Sequence, residues 1–309
     1  MAVVRIAHIS DLHISTKYRR SNIRRTRLLL QHLVSLRFDH IVVTGDLTAD
    51  AAPDDYKVVR SLFTAFGLLD ATRLTVVPGN HDVFGGVHQA EDLLSFPGRC
   101  RGADLHAKME LFHATFGETL TRCLLPVDKG VYPFAKVIGN VALIGVNSVM
   151  PWSRAKNPFG SNGRVGDGQL IRLREVLTSP LLAGKRKIVL IHHHFRKPPH
   201  KVRGSMPSVW AAMEGQTMKL RGKGKLRKLF AGAGVEAVLH GHVHEVGIDE
   251  REGIRYLNAG GSVVGEDTDA LSYHGVTIDA EGVRIETGTV EVGREMGRIG
   301  GPLSVHAAA

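Results

Sequence analysis

Short β-branched apolar runs recur along this chain, and each breaks into a polar cluster. The runs are VVRIAHIS at 3–10, HIVVTG at 40–45, RLTVVPG at 73–79, KIVLI at 187–191 and VEAVL at 235–239. Their length and composition predict buried strands ending in loops. Between the first two, NIRRTRLLLQHLVSL at 22–36 has helical apolar spacing, with Leu28, Leu29 and Val34 facing a core. Pro53 and Asp54 start a second helix near 54–66. The first third therefore reads β-α-β-α-β, the pattern of parallel strands joined by crossover helices. A helix at 105–116 precedes strands near 131–137 and 141–147, and Gly139-Asn140 predicts a hairpin turn between them. After a Gly/Asn loop at 155–168, Asp167 reads as the N-cap of helix QLIRLREVL. A helix at 225–233 leads into the strand at 235. Strands near 246–250, 254–258, 274–279 and 283–288 then suggest an antiparallel run. This order predicts an α/β fold of two facing sheets with helices outside.

The 309 residues, 43% hydrophobic and 23% charged, suffice for one large core or two modest ones. Cys100 and Cys123 match no metal or redox spacing. Met1 runs directly into the first strand without a signal-peptide core, and no run of ~18 apolar residues predicts a membrane span. The expected location is cytoplasmic. The net charge of +10 is unevenly spread. Bases gather at Lys17, Arg19, Arg20, Arg24, Arg25 and Arg27, at Arg196, Lys197, Lys201 and Arg203, and at Lys219, Arg221, Lys223, Lys225, Arg227 and Lys228. Each group fits either a solvated helix face or a positive funnel for an anionic substrate. The stretch 196–224 joins such bases to Pro198-Pro199, Trp210, Met206, Met213 and Met218, a composition expected of a lid or of a surface loop. The boundaries expected are a catalytic domain over 1–290, with 196–224 as a lid insertion, and a flexible tail over 291–309.

The polar clusters carry the chemistry. They are Asp11-Leu12-His13, Gly45-Asp46, Gly79-Asn80-His81-Asp82, His192-His193-His194 and Gly241-His242-Val243-His244. Carboxylates, an amide and imidazoles at the ends of neighbouring strands describe a site for two divalent metals. A carboxylate can bridge the ions, and the Asn carbonyl adds a donor without adding charge. No cysteine enters a cluster, which argues against a structural zinc site. Two-metal sites of this kind hydrolyse phosphate esters.

The ordered set D-x-H, G-D, G-N-H-D, strand-terminal His and G-H-x-H over residues 11–244 resembles the signature of the calcineurin-like metallophosphoesterase superfamily. The resemblance implies a four-layer α/β/β/α sandwich of two facing mixed sheets with outer helices. It implies that Asp11, His13, Asp46 and His244 hold one ion. Asp46, Asn80, His242 and either His192 or His193 would hold the second, with Asp46 as the bridge. Counting from the strand favours His192, whereas the His-His-Pro pattern of many relatives, matched to His193-His194-Phe195, points to His193. His81 would contact the scissile phosphate and assist the leaving group, with Asp82 orienting it. The ions would be drawn from manganese, iron, zinc, cobalt and nickel. A purple acid phosphatase would carry a tyrosine where this chain has Ala49, so two divalent ions are expected instead of a ferric site. The implied reaction is in-line attack by a metal-bridging hydroxide on an anionic phosphate ester, foremost a phosphodiester. A phospholipid or nucleotide-sugar-lipid pyrophosphate, a nucleic acid, and a metal-binding scaffold without catalysis are the alternatives.

Overall fold

Two mixed sheets face each other in the computed structural model, which describes residues 3–89, 92–124, 131–196, 218–264 and 270–293. The first sheet begins with β1 (Val4–Ile9), β2 (His40–Val43) and β3 (Leu74–Val76), paired in parallel. Helix α1 (Ser21–Ser35) makes the first crossover. It buries Asn22, Thr26, Leu29, Leu30 and Leu33, a stripe recurring every three to four residues. Leu28 is buried as well, while Val34 is only half-buried. Helix α2 (Pro53–Ala65) makes the second crossover, with Pro53 at its start and Asp54 and Asp55 in its first turn.

The short helix α3 (His81–Phe84) follows β3 directly, and α4 (Asp92–Gly102) and α5 (Leu105–Phe116) come after it. Asp104 caps α5 by accepting from the backbone N–H groups of His106 and Ala107. Helix α4 was not expected from the sequence, because Pro97 lies inside it and prolines disfavour helix interiors.

The second sheet has the order β10-β11-β9-β7-β5-β4. Strands β4 (Phe134–Ile138) and β5 (Val141–Gly145) form the predicted hairpin, and Gly139 takes the left-handed conformation at its turn. Strands β5, β7 (Arg186–Leu190) and β9 (Val235–His240) run parallel. Their crossovers carry α6 (Asp167–Leu177) and α7 (Lys223–Gly232). Gly166 occupies the N-cap of α6, and Asp167 is instead its first helical residue. A two-stranded parallel pair, β6 (Gly163–Arg164) with β8 (Leu220–Arg221), lies apart from both sheets.

The closing strands differ from a single antiparallel run. Hairpin β10 (Gly247–Arg251) and β11 (Ile254–Asn258) joins the second sheet, with β11 parallel to β9. Hairpin β12 (Ala270–Ile278) and β13 (Val283–Glu291) returns to the first sheet, where β12 pairs antiparallel with β1.

Three apolar clusters separate four layers. Ile6, Val42 and Val276 of the first sheet meet Phe134, Leu190 and Leu239 of the second between the sheets. Leu29, Leu33, Phe63 and Phe112 cover the outer face of the first sheet. Leu173, Leu177, Leu226 and Phe230 cover that of the second. The α/β/β/α sandwich is thus formed. Among the described residues, no helix is long and apolar enough to cross a membrane.

Much of the expected lid, 197–217, and most of the expected tail, 294–309, lie outside the described residues. The remainder of the lid segment is regular: Leu220 and Arg221 form β8, and α7 begins at Lys223.

Candidate metal centre

Every predicted ligand block lies just beyond the carboxyl end of a parallel strand: β1, β2 and β3 in one sheet, β7 and β9 in the other. Ligand crevices form at such strand ends. Backbone bonds align the loops. Asp11 N–H donates to Gly45 O at 3.0 Å, and His13 N–H to Asp46 O at 2.9 Å. Across the sheets, Gly241 N–H donates to His192 O at 3.0 Å within the second, and His242 N–H reaches Asp11 Oδ2 in the first at 3.1 Å.

The backbone here is unusual. Asp11, His13, Asp46 and His242 have φ of 56°, 42°, 50° and 75°. Non-glycine residues seldom adopt this region, and such strain gathers at functional sites. Two glycines are required by close approach. A Cβ on Gly79 would lie 2.2 Å from Asp46 Oδ1, and one on Gly45, at φ +95°, would lie 2.5 Å from His192 Nδ1.

Among the described residues these loops gather three overlapping donor sets. Asp11, His13 and His244 offer atoms that lie within 4.8 Å of one another, as do His13, Asp46 and His81, and Asp46, His192 and His242. His13 Nε2 is 3.1 Å from His244 Nε2 and 3.7 Å from Asp46 Oδ2, which connects the sets. His192 Nε2 is 3.3 Å from Asp46 Oδ2, 3.1 Å from Asn80 Oδ1 and 3.2 Å from His242 Nδ1. Thr44 O, 2.8 Å from His192 Nδ1, accepts the proton on that nitrogen. Nε2 then converges with a carboxylate, an amide oxygen and a second imidazole on one point. Buried acceptors facing each other without donors suit a cation.

The charge state agrees. Burial opposes charge on Asp46, but His192, His81 and His13 outweigh it and hold the carboxyl below its usual range. Burial likewise opposes ionisation of Asp11, and hydrogen bonds from His13 and His244 pull it well down. Burial, then the proximity of His81, lowers His13 to about 4, leaving a neutral imidazole suited to ligation. His192 differs. Burial would lower it, yet Asp46 raises it to about 9, so in the absence of a metal a proton answers the converging acceptors.

The histidine triplet is sorted by direction. His192 turns to the donor cluster, whereas His193 Nδ1 lies 2.8 Å from Ser148 Oγ. His194 stacks on the His242 ring, centroids 5.6 Å apart. His81 donates its backbone N–H to Asp46 Oδ1 at 2.8 Å, and its ring Nδ1 meets Ala49 O at 3.1 Å. Its ring packs edge-on against His13 at 4.5 Å.

Asp82 does not serve as a ring partner of His81. Its carboxylate accepts from Thr48 N–H, the Thr48 hydroxyl and Gly79 N–H at 2.9, 3.2 and 2.9 Å. It therefore ties the Asp46 loop to the Asn80 loop. Burial, helped by the charge of Asp46, lifts its carboxyl to about 7. Thr44, Ala49 and Ser148 were missed in the sequence. Two of them act through backbone carbonyls, which leave no side-chain signal.

Three comparisons bear on the whole chain. The model of the "Calcineurin-like phosphoesterase superfamily domain" matches residues 4–281. A cAMP/cGMP dual specificity phosphodiesterase of Mycobacterium tuberculosis is 27% identical over 77% of this chain, and the match spans 61% of that relative's length. Among solved structures, a dimetal phosphatase from Danio rerio superposes with a TM-score of 0.58 at 14% identity, over 94% of this chain and 99% of the other. Purple acid phosphatase PPD1 of yellow lupin gives 0.55 at 15% identity, over 93% and 51%. At these identities the structural matches establish the fold.

Proposed function

Because the chain belongs to the calcineurin-like phosphoesterase superfamily, we propose that it is a metal-dependent phosphoester hydrolase whose centre cleaves phosphodiesters, cyclic nucleotides among them. The observation that carries the reading is the run of overlapping donor sets, two of which share Asp46, with His81, only half-buried, a member of one of them. The name of the mycobacterial relative supports the diester preference.

Asp11, His13, Asp46 and His244 would hold one divalent ion, and Asp46, Asn80, His192 and His242 the other. When bound, the ions supply Lewis acidity and a water of lowered pKa. The chain's own groups do the rest. The backbone N–H of His81 fixes the bridging carboxylate, and Ala49 O fixes the His81 ring through Nδ1. Burial lowers the pKa of this ring, so its neutral form carries its proton on Nδ1; as the imidazolium, which an anionic phosphate beside it favours, His81 would donate Nε2–H to a substrate oxygen and pass that proton to the leaving alkoxide. The Asp82 carboxylate holds the Asp46 and Asn80 loops in register. The Thr44 carbonyl keeps His192 in the tautomer that presents Nε2.

The test compares bis-p-nitrophenyl phosphate, p-nitrophenyl phosphate, cyclic AMP and cyclic GMP with manganese-loaded enzyme. A kcat/KM at least ~10-fold higher for a diester than for the monoester is expected. A monoester preference of that size would overturn the diester assignment.

A further inference from the structure

A cavity opens beside the 241–244 loop, against the outer face of the six-stranded sheet. Phe195 and Tyr256 form its floor, their ring centroids 5.0 Å apart. Val243 and Ile248 extend the apolar lining. Val243 sits between the candidate ligands His242 and His244, yet it lines this cavity. Arg227 of α7 and His194 supply the polar wall.

The cavity holds buried polar atoms that no described residue satisfies. Tyr256 is 3% exposed, and its hydroxyl has no hydrogen-bond partner among the described residues. The same is true of Arg227 Nε and His194 Nδ1. Orphaned buried groups of this kind are rare in native proteins, and their convergence on one cavity marks a place for an acceptor. Two carboxylates also line it. Asp249 is taken by Arg251 at 3.1 Å, and Glu245 is exposed. That leaves Arg196 and Arg227, which both line the cavity, against Glu245, a surplus of one positive charge that suits a monoanion.

The geometry points to an accessory binding site for a small aromatic carboxylate. Its ring lies on Phe195 and Tyr256, and its carboxylate is held by the Tyr256 hydroxyl and the Arg227 guanidinium. Arginine's planar fork matches a carboxylate, and charge-assisted hydrogen bonds are the stronger kind. The site is separate from the phosphoester centre but lies close to it, because His194 lines the cavity and stacks at 21° on the His242 ring.

The test is calorimetric titration of the full, metal-loaded chain with 2-naphthoate. One site per chain is expected. Tyr256→Phe and Arg227→Gln should each raise the Kd by about 10-fold, the size of one hydrogen bond to a charged group. The neutral analogue 2-naphthylmethanol should bind ~10-fold more weakly than the acid. Turnover of bis-p-nitrophenyl phosphate should be unchanged in both variants, which also shows that they fold. Lack of saturable binding overturns the proposal. So does binding that inorganic phosphate displaces and both variants retain, since that places the probe at the metal centre. Because the readout is heat of binding, it is independent of which phosphoester the enzyme prefers.

Discussion

His192 donates through Nδ1 to the carbonyl of Thr44 at 2.8 Å, and this bond aims Nε2 at the Asp46 carboxylate 3.3 Å away. The two residues extend from different sheets, so a backbone carbonyl of one sheet sets the tautomer of a candidate ligand carried by the other. His193, the next residue, turns to Ser148 instead.

That division predicts a contrast. His192→Ala should lower the metal content of purified enzyme and weaken metal affinity by ~10–100-fold or more. His193→Ala should keep the metal but lose about 1–3 kcal/mol of stability, because the buried Ser148 hydroxyl loses its imidazole partner and keeps only the backbone N–H of residue 193. Elemental analysis with thermal denaturation separates the two. Metal depletion in the His193 variant alone would reverse the ligand assignment.

Asp46→Asn keeps the shape of the bridge and removes its charge. Asparagine also tolerates the left-handed backbone found at this position, so the change is electrostatic. Metal content should fall below two per chain and kcat/KM by at least ~100-fold. Two tightly held ions with full activity would show that Asp46 is not the bridge.

His81→Ala should behave differently, keeping both ions while kcat drops by ~10²–10⁴-fold. The loss should shrink for substrates with good leaving groups, since p-nitrophenolate departs without a proton. An equal loss for alkyl and aryl diesters would argue that His81 positions the phosphate and does not assist departure.

Lys136 offers a test of the fold away from the centre. It is 1% exposed, and its ammonium donates to Leu74 O, Thr119 O and Thr75 Oγ1. Burial lowers its pKa from 10.5 to about 8. Between those values the unfolded chain keeps a proton that the folded chain has released, so stability should rise with pH across this window. Relative to Lys136→Met, the wild type should gain up to about 1.4 kcal/mol per pH unit between pH 8 and 10. A pH-independent difference in denaturant unfolding would show that the buried amine keeps an ordinary pKa.

The strands that carry the centre were legible in the sequence because each is a short apolar run that stops at a ligand block. The choice between His192 and His193 was not, since the deciding group is a main-chain oxygen 148 residues away. Asp82 was misread for a related reason. Its adjacency in sequence to His81 suggested a pair, whereas the start of α3 turns its carboxylate toward Thr48 and Gly79. The late hairpins were visible as strand pairs, but their local pattern does not encode which sheet edge each will join. Helix α4 was hidden by Pro97, a residue whose local preference was overridden by packing of Phe96 and Cys100 into the interior.

The donor atoms are divided between the sheets: Asp11, His13, Asp46 and Asn80 come from one, and His192, His242 and His244 from the other. Neither half alone can enclose both ions. On the ligand set proposed above, tight loading would follow docking of the sheets, and ion retention would gauge how well the interior between them is packed. Truncating Leu239 or Phe134, both buried in that interior, would loosen the grip on metal without altering a ligand. In this architecture bound ions would act as a clasp, fastened last and sensitive to any slackness in the halves they join.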